Sequence, residues 1–211
     1  MRKTQFANNE YYHIFNRGVD KREIFSEYED LSRFFQSMDE FNIIDPIGSI
    51  FENSFRKIER PVSENERLVN FVCYCLNSNH YHFILKQASD KGIEKFMQRL
   101  GNGYTKYFNN KYSRNGSLFQ GTYKSVHINS NEYLLHLSVY VNLNNKIHQL
   151  GHLMSKSKSS WEEYLNPSAN GFCEKDIVLG QFNNLSEYQG FAESSLGNIK
   201  ERKELEKLLL E

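Results

Sequence analysis

The order strand, helix, strand, strand, helix, strand predicts an α+β fold, a two-layer α/β sandwich with a four-stranded antiparallel sheet. Three observations carry that prediction. The apolar run LVNFVCYCL (68–76) passes through the polar turn NSN into HYHFILK (80–86), which reads as a β-hairpin. Two segments, 26–41 and 92–110, place apolar residues at helical spacing. Short extended stretches stand outside these, YYHIFNRG at 11–18 and one beginning near Thr122.

The first strand ends at Gly18. In the first helix, Leu31, Phe34, Phe35, Met38 and Phe41 fall near 3.6-residue spacing, with Ser26 the expected N-cap and Glu29 three residues later. Residues 42–68 hold Pro46, Gly48 and Pro61 among mixed charges and read as a long excursion. Along 92–110, Ile93, Phe96, Met97 and Leu100 define one side, and Gly101 and Gly103 weaken the middle. SRNGSLFQGTYKSVHI (113–128) is a turn followed by the fourth strand. A helix over 130–142 carries Tyr133, Leu134, Leu137, Tyr140 and Val141. This order is ferredoxin-like, with helices on one sheet face and one extra helix. Residues 1–154 form the expected domain. Residues 155–211, from SKSKSS to the charged helix IKERKELEKLLLE, read as a partly helical appendage.

Composition bounds the function. The 211 residues suffice for one domain, and 16 Phe and 13 Tyr offset a hydrophobic fraction of 39%. No run of 18 apolar residues and no signal-peptide pattern is present, which predicts a soluble, cytoplasmic protein without membrane contact. Three cysteines, Cys73, Cys75 and Cys173, argue against a disulfide scaffold and for a reducing compartment. Net charge is zero, yet Lys95, Arg99, Lys106, Lys111, Arg114 and Lys124 lie in a stretch without Asp or Glu. Tyr104, Tyr107, Phe108, Tyr112, Phe119 and Tyr123 interleave with them, a mixture that attracts phosphates and stacks bases. The same window also reads as a solvated helix face with core aromatics.

His80 and His82 stand at i,i+2 on a strand and so share a face. Two imidazoles presented together can ligate a divalent metal, or can simply face solvent as polar side chains. A structural zinc site with Cys73 and Cys75 is an alternative, although Cys-x-Cys departs from the usual spacing.

These pieces together resemble the IS200-like transposase family, most closely its branch of REP-associated tyrosine transposases among the HUH endonucleases. The resemblance rests on YYHIFNRG, NSNHYHFIL, YTKYFNNKYSRNGSLFQGTYKS and YLLHLSVYVNLN in that order, over about residues 10–150. SSWEEYL (159–165) resembles a segment that follows in the same branch. The resemblance implies that His80 and His82 hold Mg²⁺ or Mn²⁺ and that Tyr140 is the nucleophile. Asn144 then completes the metal coordination, four residues beyond Tyr140 on a continuing helix. Tyr81 is bulkier than the aliphatic residue usual between the histidines, and Asn145 stands where proline is frequent. Tyr133 is the alternative nucleophile from the same helix. The implied substrate is single-stranded or hairpin DNA, nicked and rejoined through a 5′-phosphotyrosine. The six basic residues above are the expected DNA contacts. Two other readings stay open: a nuclease that activates water, and a hairpin-binding protein without catalysis. Monomer and homodimer are both compatible with the sequence.

Overall fold

The computed structural model describes residues 4–55, 66–147, 157–167 and 171–208. Five antiparallel strands form one sheet: β1 (Tyr11–Arg17), β2 (Val69–Asn77), β3 (His80–Gln87), β4 (Lys124–His127) and β5 (Lys158–Ser159), in the order β4-β1-β3-β2-β5. The expected four strands are present. The fifth is a correction: a two-residue strand pairs with Cys75 and Leu76 and extends the β2 edge. At two residues it carries no alternation to read.

A second correction concerns the layers. One sheet face buries Tyr12, Ile14, Phe71, Tyr74, Leu76, Tyr81, Phe83 and Leu85 beneath α1 (Tyr28–Glu40) and α3 (Gly92–Lys111). The other face is covered as well. Val72, Cys73, Cys75 and Ile84 pack there with α4 (Asn131–Asn142) and the C-terminal helices α6 (Trp161–Leu165), α7 (Asp176–Leu179) and α8 (Leu185–Leu208). A sheet buried on both sides explains why β2 and β3 read as near-continuous apolar runs rather than as alternating ones.

Helix α1 begins one residue later than expected. Glu27, not Ser26, is the N-cap, in a capping box with Asp30. Asp30 wins because it is buried and anchored from afar. Its carboxylate accepts from the Ser26 and Glu27 amides at 3.0 Å each, from Tyr112 at 2.6 Å, from Tyr107 at 3.1 Å and from Lys111 at 2.8 Å. Burial pushes this carboxyl up, but the bonds from Lys111, Tyr112 and the two amides outweigh it and hold the group below its ordinary value.

The excursion expected at 42–68 contains a short helix, α2 (Ile50–Phe55), while Pro61 lies outside the described residues. Asn42 ties its start to β2, donating to the Val69 carbonyl at 2.8 Å and accepting from the Val69 amide at 2.9 Å. The register of β2 shifts at Val72, a bulge whose carbonyl accepts a 2.9 Å bond from the Tyr164 hydroxyl. The described part of 155–211 thus contributes core: Tyr164, Val178, Tyr188 and Ala192 are buried against Val139 and Val141 of α4. Among the described residues no helix is long and apolar enough to cross a membrane.

Candidate active site

Strand parity builds the site. On β3, Tyr81, Phe83 and Leu85 point into the α1–α3 core, so His80 and His82 face α4. Each histidine has a cross-strand neighbour on β1, Arg17 opposite His80 and Phe15 opposite His82. The sheet puts β3 in the middle, so this pair is held from both sides.

The two imidazoles are held by different partners. His80 Nδ1 lies 2.6 Å from Asn79 Oδ1, which only accepts, so Nδ1 carries the proton and Nε2 presents its lone pair. That Nε2 stands 3.1 Å from Asn144 Oδ1, a second acceptor. The Asn77 amide holds both, donating at 3.0 Å to His80 Nε2 and at 2.8 Å to Asn144 Oδ1. Two acceptors thus stand side by side, bridged by the Asn77 amide. Asn144 is fully buried, and its side chain also acts on the Tyr140 phenol beside it. His82 Nδ1 is taken by His13 Nε2 at 2.9 Å, which turns His82 Nε2 toward the remaining space.

Tyr140 closes the constellation. Its ring meets His82 edge-on, with centroids 5.5 Å apart and planes at 84°, and meets His13 at 6.5 Å. Burial raises the phenol pKa above its ordinary value, while the Asn144 side chain beside it acts in the opposite direction. Helix α4 ends at Asn142 with Leu143 as its C-cap, and Asn144 opens a separate four-residue turn, α5 (Asn144–Ile147). Tyr140 and Asn144 therefore meet the histidines from either side of a break rather than along one continuing helix. Tyr133 lies two turns earlier on α4, about 10 Å along the axis, at the surface and 36% exposed.

The residues present fit a divalent ion: two neutral imidazole nitrogens and an amide oxygen can each offer it a lone pair. Among the described residues no three His, Cys, Asp or Glu side chains group around a point, so the donor set depends on Asn144. Cys73 and Cys75 are fully buried, and burial pushes both thiols up, Cys75 to about 12. They stay protonated and pack as small apolar groups.

Beside the histidines opens a cavity of about 680 Å³ lined by Phe15, Asn16, Ser78, Asn79, Gln120 and the cations Arg17, Lys21 and Lys124, with no acidic side chain. Of the six basic residues expected to contact DNA, Lys124 alone lies here. It faces Phe15 across the β1–β4 ladder. Arg99 donates to the carbonyls of Ile43 and Ile44, and Lys111 pairs with Asp30 and Glu27. Lys95 donates to the Asp90 carbonyl at 3.0 Å, and Arg114 packs over the Phe108 ring at 5.6 Å. Lys106 is exposed on α3, across the sheet from the histidines. Four residues of the site were not expected from the sequence: His13, Asn77, Arg17 and Lys21. For His13 and Arg17 a signal exists, because period-2 parity along YYHIFNR puts them on one face with Phe15.

The chain matches the model of the family described as "Transposase IS200 like" over residues 47–144. No curated protein matches it in sequence. Among solved structures it resembles that of a REP-associated tyrosine transposase bound to a REP hairpin, at 9% identity and a TM-score of 0.55, over 82% of this chain and 88% of that one. That likeness speaks for the fold. A tRNA(His) guanylyltransferase from Saccharomyces cerevisiae aligns over 92% of this chain and 80% of its own, at 14% identity and a TM-score of 0.28. The family match over residues 47–144 gives this chain a distant relationship to the IS200-like transposases, and it shares its fold with the REP-associated tyrosine transposase.

Proposed function

We propose that the protein nicks and rejoins single-stranded DNA, with Tyr140 as the nucleophile and Mg²⁺ or Mn²⁺ held by His80, His82 and Asn144. The observation that carries this reading is the Tyr140 ring set edge-on against His82, beside the paired acceptors His80 Nε2 and Asn144 Oδ1. When bound, the ion neutralises charge on the non-bridging oxygens of the scissile phosphate. The rest is done by the chain. Arg17, Lys21 and Lys124 grip the backbone in the cavity beside His80. Tyr140 approaches with its phenol protonated, since burial raises its pKa. As the bond from Oη to phosphorus forms, the phenol proton passes to water, the bond to the 3′ oxygen breaks, and that oxygen takes up a proton. The product is a 5′-phosphotyrosine and a free 3′-hydroxyl. Attack by a 3′-hydroxyl on the phosphotyrosine reverses the step without ATP. His13 holds His82 through Nδ1, and Asn79 holds His80 in the same way.

The substrate is a hairpin, the ligand named for the REP-associated relative. Residues 1–154 carry the chemistry, and 155–211 brace the tyrosine helix through Tyr164, Tyr188 and Ala192. Three free cysteines suit a reducing, cytoplasmic setting.

The test is incubation with end-labelled hairpin strands and Mn²⁺, resolved on a denaturing protein gel. A slow-migrating adduct is expected, lost in Tyr140→Phe and lost or strongly reduced in His80→Ala. Cleavage without an adduct makes water the nucleophile. An adduct that survives in Tyr140→Phe and disappears in Tyr133→Phe moves the role to Tyr133. Hairpin binding with no cleavage at all leaves a binding protein.

A further inference from the structure

Residues 139–147 contain neither glycine nor proline, the strongest helix breakers. Helix α4 nevertheless stops at Asn142, and Asn144 begins a new turn. The break is what sets Tyr140 and Asn144 on either side of the histidines, so its cause bears on the chemistry. That cause lies in contacts with residues distant in the chain.

Asn142 follows Tyr140 by two positions, about 200° around a helix, so its amide points away from the histidines. It is fully buried, and a buried amide costs free energy unless its polar atoms are bonded. Its Oδ1 accepts from the Ser160 hydroxyl at 2.6 Å, and its Nδ2 donates to the Tyr188 hydroxyl at 3.3 Å. Ser160 is itself fully buried and fastened to β2. The Tyr74 amide donates to Ser160 Oγ at 2.9 Å, and the Ser160 amide donates to the Tyr74 carbonyl at 3.0 Å. Further along the same strand, Asn77 donates to Asn144 Oδ1 at 2.8 Å. On a continuing helix Asn142 and Asn144 would point about 200° apart. Their bonds instead lead to one strand, and only a break lets both be made.

We propose that Asn142 is a positioning residue for the nucleophile. Pinned through Ser160 to β2, it ends α4 where the Tyr140 ring rests against His82 and lets Asn144 turn toward His80. It touches neither DNA nor metal. The role rests on the reading of Tyr140 as the nucleophile. It also gives the segment SSWEEYL a task, because Ser160 joins the C-terminal part of the chain to the reacting group.

The test is Ser160→Ala, which removes the hydroxyl and leaves Asn142 in place. Its control is Asn42→Ala, which removes a similar pair of bonds, to the Val69 amide and carbonyl, at the far end of β2. Both should melt below the parent by similar amounts, since each strands two buried polar groups. With hairpin and Mn²⁺ saturating, single-turnover adduct formation should fall at least roughly tenfold in Ser160→Ala, the scale of a displaced reacting group. Asn42→Ala should keep the parent rate. Hairpin affinity should be parental in both, because the cations of the basic cavity are untouched. Asn142→Ala should slow the step likewise, and the double variant should be no slower than Asn142→Ala alone, the mark of one shared contact. A second readout needs no chemistry. The His82 ring C–H resonances, identified by their loss in His82→Gln, sense the Tyr140 ring 5.5 Å away. They should move in Ser160→Ala in the direction seen for Tyr140→Leu and stay in place in Asn42→Ala. A parent rate in Ser160→Ala, equal slowing in Asn42→Ala, a double variant slower than Asn142→Ala, or unmoved His82 resonances each overturn the proposal. No adduct from the parent protein sinks the nicking reading instead, and the resonances still decide whether Asn142 places the ring.

Discussion

Replacing His13 by leucine tests the support beneath His82. The perturbation removes the 2.9 Å hydrogen bond at His82 Nδ1, on a side chain that is 8% exposed. Stranding a buried polar group costs about 1–3 kcal/mol. Loss of a partner that orients a ligating histidine lowers metal affinity by roughly 10–100-fold, or about 1.4–2.8 kcal/mol at 1.4 kcal/mol per decade. The two ranges overlap, so the Mn²⁺ concentration at half-maximal adduct should rise at least tenfold. His13→Gln is expected to recover most of the loss, because its amide oxygen can take the position of His13 Nε2 and accept from His82 Nδ1–H. Burial holds the His13 pKa near 4, so the imidazole is neutral and the effect should not vary across the neutral pH range. The assay is Mn²⁺ titration of adduct yield on a fixed hairpin, with calorimetric Mn²⁺ binding as a second readout and circular dichroism as the check on folding. A folded His13→Leu protein with the parent Mn²⁺ midpoint would refute the reasoning.

Two further outcomes follow from the charge distribution. Asp30 has a depressed folded pKa, so its stabilising contribution is fully present above the ordinary carboxylate value of about 3.9 and is lost as pH falls through the lower folded value. Asp30→Asn should therefore cost about 2–4 kcal/mol in urea unfolding at neutral pH and flatten the acid limb. An unchanged acid limb would show that the carboxylate is not responsible. Arg17→Ala and Lys124→Ala should each reduce the slope of log affinity against log salt by about 0.7, the single-strand value for one phosphate. Arg99→Ala should leave that slope unchanged, since its guanidinium is committed to the Ile43 and Ile44 carbonyls.

Local pattern alone makes the hairpin, the shared face of His80 and His82, and the helix of Tyr140 legible in the sequence. What escapes it is set by partners distant in the chain. His13 is a polar residue without a visible partner until the β1–β3 register brings it to His82, 69 residues on. Lys111 and Arg99 look like free cations in a stretch without acids, yet their partners, Asp30 and the Ile43 and Ile44 carbonyls, lie far upstream. The misplaced N-cap has the same origin. Ser26 with Glu29 and Glu27 with Asp30 both satisfy the i,i+3 pattern, and serine is the better cap on propensity alone. Tyr107, Tyr112 and Lys111 decide for Asp30. The second covered face of the sheet is hidden because much of its lid beyond α4 comes from Tyr164, Val178, Tyr188 and Ala192, scattered through a segment with no helical apolar pattern to announce burial.

The two-residue turn at Ser78 and Asn79 has an evolutionary consequence. It joins β2 to the central strand, and β3 is locked in register on both sides. Inserting or deleting one residue there and shifting β3 accordingly would exchange His80 and His82 for Tyr81 and Phe83 on the face toward Tyr140. Length variation in descendants of this chain should therefore be barred from that turn and tolerated in the stretch after α1, where no residue of the site resides.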